Sequence, residues 1–572
     1  MENERRLLLA ILLMILAVVA ANVLFRPVPP RRPVTVASDT VSLPEEGPPP
    51  GEAAPEEVPP RAPPEPAVEE GEAGRPPELV AGVGAPEDTI VVRSEMYEYR
   101  FTRRGAAMLG ARLLSYDSYA PGDTVGSRVE LVRPGDRVFG YRVAVGTDTL
   151  DLRDRLFESG VGRTLDVTSV SSLSFRYPLG VSSDPELAFV VTYRFYPDRY
   201  VVEVRGELEG LPGRGYTVLT SLGEGLRTNE ANPREDHTEL AYVVHGRGGD
   251  YRSRRLGKVD PEERTTVEGG PFRWVAVKSK YFVVALVSEP EVSGFGGMLV
   301  SGVAPDNAAR MEAALPVPAD RPGFSFRAFV GPQDYGRLAA VGQELQNVSP
   351  YGYRWMRPII RPLVGLIMAV LVWMHRTFSM GYGWVLMLFG IFMRIVLFPL
   401  YQKSMRAQMA QMQVQPLIRE IQTKYKEEPQ KLQQEMVKLY KEHNINPLAG
   451  CLPMLLPFPV LITLFFVFRN TIEVRGVPFL WIPDLSLKDP VYVIPILMGL
   501  SMFLLQWIGQ RGMQPNPQMK MMGYAMPVIF TFLFMNFPSG LNLYYATSNF
   551  ASLPQQLYLA RERRKTVTRT GD

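Results

Sequence analysis

Residues 390–400 read GIFMRIVLFPL, and Arg394 is the one residue in that stretch with chemistry to offer. The surrounding segment, Tyr382 to Leu400, is otherwise apolar and about long enough to cross a bilayer. A guanidinium at the centre of such a helix costs about 2.5–3.5 kcal/mol and by default marks a functional site. Its chemistry is attraction: a fixed cation in a low-dielectric recess draws carboxylates and neither moves protons nor makes bonds. No Asp or Glu occurs in 382–400, 451–468, 491–508, 519–537 or 541–559. An ion pair within those segments is therefore excluded, and so is a carboxylate proton relay, which weighs against a pump or proton-coupled transporter. The neighbouring segments do supply polar groups for a hydrated recess: Asn542, Tyr544, Tyr545, Ser548 and Asn549 from the last, and Thr463 from the third. Snorkelling stands beside that reading, since Arg394 is roughly 9 Å from the end of its helix at 1.5 Å per residue.

Other reactive groups are sparse. Asp236, His237 and His245 are the one acid–base candidate, and surface loop histidines are the simpler reading of them. Cys451 is the single cysteine, so no intrachain disulfide forms; its LAGC setting lies far from any N-terminal signal and suits a buried thiol. Gly257-Lys258 is followed by Val259, and no G-x-x-x-x-G-K-[ST] phosphate loop occurs, so no nucleotide hydrolysis and no cofactor is expected. Methionines are the remaining specialised side chains. Met405, Met409 and Met412 lie on one apolar stripe, and Met521, Met522 and Met526 cluster before another apolar run. Either stripe serves as a packing seam or as an adaptable surface for apolar partners.

The elements that must position these groups follow from composition. Lys+Arg is 62 against Asp+Glu 59, a formal charge of +3, which argues against a nucleic-acid footprint over the whole chain. After MENERR an apolar run from Leu7 to Phe25 suits a transmembrane anchor (1–26), with a cleaved signal as the rival reading. Residues 27–88 are rich in Pro, Glu, Ala and Gly and cannot bury a core, which implies a semi-stiff exported tether. From 89 to 345, runs such as LAFVVTYRFYPDRYVVEVRGEL alternate in strand fashion and predict a β-rich sandwich. Residues 355–378 read as a helix lying on the outer membrane surface.

Spans are expected at 380–401, 451–469, 491–508, 519–537 and 541–559, six with the anchor. The 402–446 loop and the 560–572 tail carry the excess of Lys and Arg, which puts both ends of the chain in the cytoplasm. That loop reads as a helical hairpin broken near KEEPQ (426–430), with Pro429 in the first turn of its second helix. The basic tail, Arg561 to Arg569, suits contact with ribosomal RNA and equally suits topology setting.

FMRIVLFPLYQKSM (392–405), NPLAGCLPMLLPFPVLITLFF (446–466), FLWIPDLSLKDPVYVIPILMGLSMFL (479–504) and MPVIFTFLFMNFPSGLNLYYATSN (526–549) together resemble the YidC/Oxa/Alb family of membrane protein insertases. The resemblance covers about residues 355–560 and, with the anchor and exported domain, suits the form found in bacteria with an outer membrane. It implies a multi-span α-helical protein of the inner membrane, with a five-helix core and an exported β-supersandwich. Within that core a hydrophilic groove would open to cytoplasm and lipid. Arg394 would be the groove arginine, and Tyr544 and Tyr545 the tyrosine pair near which clients pass; Met454 would join the client-facing methionines. Implied partners are nascent membrane proteins, the ribosome, the Sec translocon and membrane lipids. Pro457 and Gly390 stand where the family often has polar residues.

Overall fold

The computed structural model describes residues 89–569 apart from 180–186, 211–213, 262–265, 290–293, 304–307, 322, 350–355, 400–401, 403–413, 443–457 and 511–516. The expected anchor and tether, and Cys451, Met405, Met409, Met412, Met454 and Pro457, lie outside the described residues. Between Thr89 and Pro332 the alternating sequence forms two sheets. One has five strands, an antiparallel ladder of Thr89–Arg93, Tyr97–Thr102, Ala107–Asp117 and Arg128–Glu130 with Thr164–Asp166 added in parallel. The other has thirteen strands. Phe282–Ser288 is buried at every position in it, paired with Thr266–Lys278 and Gly323–Pro332, as suits an apolar run flanked on both edges.

A single apolar core joins the sheets, and tyrosines pin it. The Tyr141 hydroxyl donates to that of Tyr193 at 2.7 Å, which donates to the Ala106 carbonyl between two strands of the smaller sheet at 2.7 Å. Tyr99 crosses the other way, donating to the Val330 carbonyl at 2.9 Å. Each buried ring contributes apolar area while its hydroxyl finds an acceptor. His245 departs from the loop expectation. It is wholly buried in the strand Ala241–Gly246 and stacked on Tyr251 with ring centroids 4.0 Å apart, and burial holds its pKa down and its ring neutral. Asp236 is buried separately, accepting from the Lys280 backbone N–H, so the acid–base candidate is not an assembled group.

The helices begin with Arg357–Phe378, which buries one face through Ile360, Val364, Ile367, Met368, Leu371 and Met374 and exposes Leu366 and Trp373 on the other. It is the one described helix whose length and apolarity suffice by themselves to cross a membrane. Tyr382–Val396, Phe458–Asn470, Val493–Gln510 and Pro517–Phe534 follow as apolar helices, and the last helix runs from Ser539 to Arg569, through the expected basic tail. Two polar helices, Gln415–Lys424 and Pro429–Glu442, occupy the expected hairpin, with Pro429 opening the second. Large apolar side chains stand exposed on several of these helices, among them Phe392, Ile395, Leu500, Phe503, Val528 and Phe532. Water does not tolerate apolar faces of that extent, and lipid does.

The segment between Asn470 and Val493 fastens the two halves together. Ile472 belongs to the core of the β domain. Arg475 enters the same domain with its side chain 3% exposed. Its Nε donates to both oxygens of Glu230 at 2.9 and 3.1 Å, Nη1 to the Asp117 carbonyl at 3.0 Å and Nη2 to the Asn229 carbonyl at 3.1 Å. Tyr119, Phe282 and Tyr281 surround the guanidinium at 4.6, 5.3 and 5.7 Å. On the helical side, Asp489 accepts from the backbone N–H groups of Val491 and Ile494 and so caps the helix Val493–Gln510. The Gly540 N–H of the PSG turn donates to the Leu485 carbonyl at 2.9 Å.

Burial raises the Glu230 carboxyl to about 7 despite its ion pair with Arg475. Arg475→Ala is expected to destabilise the chain by about 3–5 kcal/mol, because it strands a buried carboxylate. Glu230→Gln, which removes the charge and keeps the shape, is expected to cost less; thermal unfolding of the full chain in detergent measures both, and equal losses would refute a coupled pair.

Glu473 is raised to about 7 by burial and then by Asp334, and its Oε2 has no hydrogen-bond partner among the described residues. A carboxyl raised in the folded state binds an extra proton between its unfolded value near 4.5 and about 7, so stability falls as pH rises through that window. Glu473→Gln is expected to leave the unfolding temperature unchanged at pH 5 and to raise it at pH 8, by a margin on the order of 1–3 kcal/mol. Parallel melting curves for the two proteins from pH 5 to 8 would contradict this.

Candidate functional site

Arg394 stands in the last turn of the helix Tyr382–Val396, where its cation opposes the partial negative charge of the helix C-terminus. The opposite end of that helix meets the docking segment. Gly383 lies against the Phe479 ring, where a Cβ would overlap the aromatic carbons. Eleven residues separate Gly383 from Arg394, so the arginine sits roughly 17 Å farther along the axis, away from the β domain.

The last helix runs parallel beside it, with Gly540 near Leu386 at the start and Gln555 near Arg394 farther along. Gly390 packs on the Tyr544 carbonyl, 3.1 Å from where a Cβ would stand, and near the Ser548 backbone nitrogen. The Phe389 and Tyr544 rings lie 5.6 Å apart. One turn beyond, Arg394 Nη2 donates to Gln555 Oε1 at 2.7 Å. The arginine is half-buried, and Ile391, Phe392, Ile395 and Val396 around it are exposed. A neutral amide thus orients the guanidinium at the edge of an apolar surface.

The expected polar residues divide between two roles. Ser548 and Tyr545 are half-buried on the helix that carries Gln555, with Tyr545 5.7 Å from Phe534. Asn549 Nδ2 donates to Ser501 Oγ at 3.0 Å and ties the last helix to Val493–Gln510. Asn542 is fully buried and donates to the Phe534 carbonyl at 2.9 Å, capping the end of Pro517–Phe534. Thr463 is fully buried and Tyr544 nearly so. Asn542, Asn549 and Thr463 therefore sit in helix packing, while Arg394, Gln555, Ser548 and Tyr545 keep some exposure or stand next to it. Met521 and Met522 fall within the helix Pro517–Phe534, and Met526 is exposed on it.

Gln555 is absent from the expected set. It lies inside the expected span 541–559, seven residues after Ser548 and so on the same helical face. Arg475 is likewise a residue whose surroundings in sequence give no hint of what it binds.

Water access is directly measurable. In a Cys451→Ser background, Arg394→Cys is expected to react with a membrane-impermeant maleimide, and Leu386→Cys, buried in the helix core, is not. Silence at both positions would leave snorkelling as the account of the charge.

The comparisons with known proteins cover both halves. The family described as "YidC periplasmic domain" matches residues 89–366, and "60Kd inner membrane protein" matches residues 373–566. The membrane protein insertase YidC of Chlorobium phaeovibrioides is 32% identical over 506 residues, 82% of this chain and 83% of the relative. That of Chlorobium limicola is 32% identical over 508 residues, 84% of this chain and 83% of the relative. A crystal structure of an active YidC insertase with its first transmembrane domain resolved is 21% identical, with a TM-score of 0.34, over 83% of this chain and 93% of that one.

Proposed function

This chain belongs to the YidC family of membrane protein insertases, and from that premise we propose how its own residues insert a client. It is a membrane protein insertase of the inner membrane, with a periplasmic β-sandwich domain, and it is not an enzyme. The contact between Arg394 and Gln555 carries the reading. An amide partner orients the guanidinium through a neutral contact, and the cation attracts an acidic residue in the short exported segment of a client. At 4 Å and an effective dielectric near 20 that attraction is about 4 kcal/mol, comparable to the cost of bringing a polar segment partway into the bilayer.

Arg394, Ser548, Tyr545 and Gln555 form one side of a groove open to the cytoplasm and to lipid. The hairpin of Gln415–Lys424 and Pro429–Glu442, together with Met405, Met409, Met412, Met521, Met522 and Met526, receives the client's apolar span. Transfer of that span to lipid, at about 25 cal/mol per Å² of apolar surface, drives the step forward. Six spans with both termini in the cytoplasm place the hairpin and the basic tail on the ribosome's side. The Sec translocon acts as a partner for clients with larger exported parts.

Insertion of a small acidic single-span client by the full chain in proteoliposomes tests this. Arg394→Ala is expected to lower insertion at least fivefold and Arg394→Lys less. Gln555→Glu is expected to impair insertion more than Gln555→Leu, because the new carboxylate neutralises the arginine. A photocrosslinker at Tyr545 or Met454 is expected to capture the client on the ribosome. Full insertion by Arg394→Ala with no crosslink at either position would sink the groove reading.

A further inference from the structure

A cavity of about 750 Å³ lies where the β domain meets the helices, at the opposite end of the bundle from Arg394. Its β-domain wall carries Arg255, Lys278 and Glu239, and Arg469 closes it from the end of the helix Phe458–Asn470. Below them the lining turns apolar, with Leu461, Phe465, Leu533 and Phe537.

The charges do not balance. Arg469 Nη2 donates to Glu239 at 3.1 Å, and Lys278 Nζ stands 3.9 Å from the same carboxylate. Glu239 therefore serves two cations, buried Asp236 adds a weaker pull on Lys278, and Arg255 adds a third cation. Lys278 is held there with its side chain 6% exposed, and Arg469 Nε is buried with no hydrogen-bond partner among the described residues. Cations gathered around a partly enclosed cavity in excess of their anions call for an anionic ligand with several acceptor oxygens.

The apolar floor narrows the choice. From Arg469 to Leu461 the cavity follows eight residues of one helix, about 12 Å of its length at 1.5 Å per residue. An inorganic anion would leave that floor uncovered, and an uncharged apolar segment would leave the cations unanswered. A phosphodiester with an acyl chain below it satisfies both. The site also lies at the end of the bundle that the β domain covers.

We propose that this cavity binds one anionic phospholipid, its phosphodiester among Arg255, Lys278 and Arg469 and the upper part of an acyl chain along Phe465, Leu533 and Phe537. The proposal needs the helices to lie in a bilayer and is independent of the role of Arg394. The bound lipid bridges sheet and helices and so holds the β domain to the membrane at a second point besides Arg475.

Native mass spectrometry of the full chain in detergent, titrated with phosphatidylglycerol, tests it, with unfolding temperature as a second readout. One tightly held phosphatidylglycerol is expected, with at least tenfold weaker binding of phosphatidylcholine. Arg255→Gln, at an exposed position, and the pair Arg255→Gln with Arg469→Gln are expected to weaken the lipid progressively, by at least tenfold for the pair. Leu533→Trp, which fills the floor and keeps the cations, is expected to exclude the lipid without lowering the unfolding temperature of the lipid-free protein. Equal binding of phosphatidylcholine, stabilisation by inorganic phosphate as large as that by phosphatidylglycerol, retention of the lipid by all three variants, or binding of an acidic peptide but no lipid would each overturn the proposal.

Discussion

Arg475 reaches out of a short loop between two helices into the base of a β domain, and the geometry of both halves is referred to that contact. A buried guanidinium is tolerable only where every donor direction is answered. Here a carboxylate, two backbone carbonyls and three aromatic rings answer it. The pair with Glu230 does not repay its own desolvation in full, as the raised Glu230 pKa records. Its value is positional. The same loop supplies Phe479 against Gly383, Leu485 against the PSG turn and Asp489 to the start of the helix Val493–Gln510, so fixing the loop fixes the outer ends of three helices.

Arg394 illustrates the opposite use of the same side chain. It sits about 17 Å down its helix from Gly383, half-buried, with an amide in reach where Arg475 has a carboxylate. A carboxylate there would cancel the charge and close the site, whereas Gln555 orients it at little electrostatic cost. The two arginines thus differ in partner, a carboxylate for Arg475 and an amide for Arg394.

The third cationic cluster, Arg255, Lys278 and Arg469, lies between these extremes. Glu239 answers part of its charge and the rest faces a cavity floored with aromatic and aliphatic carbon. These arginine environments thus differ in the partners that answer the guanidinium: a carboxylate and carbonyls at Arg475, an amide at Arg394 and a shared carboxylate at Arg469.

Much of this molecule is legible in one dimension. The alternation in AFVVTYRF (188–195) can only suit a half-buried strand, the break at KEEPQ separates the hairpin helices, and the charge within the apolar run GIFMRIVLFPL marks Arg394. These features are local, set by periodicity and by the cost of a charge within its own segment. What only tertiary structure decided is pairing across distance. Arg475 meets Glu230, 245 residues away, and Arg394 meets Gln555, 161 residues away. Asn542 and Asn549 look like groove residues by type, yet their amides cap and tie helices; His245 looks like a loop residue and lies in the core. A residue's type states which bonds it can make, but which partner comes within 3 Å depends on how helices and sheets pack, and the local sequence does not contain that.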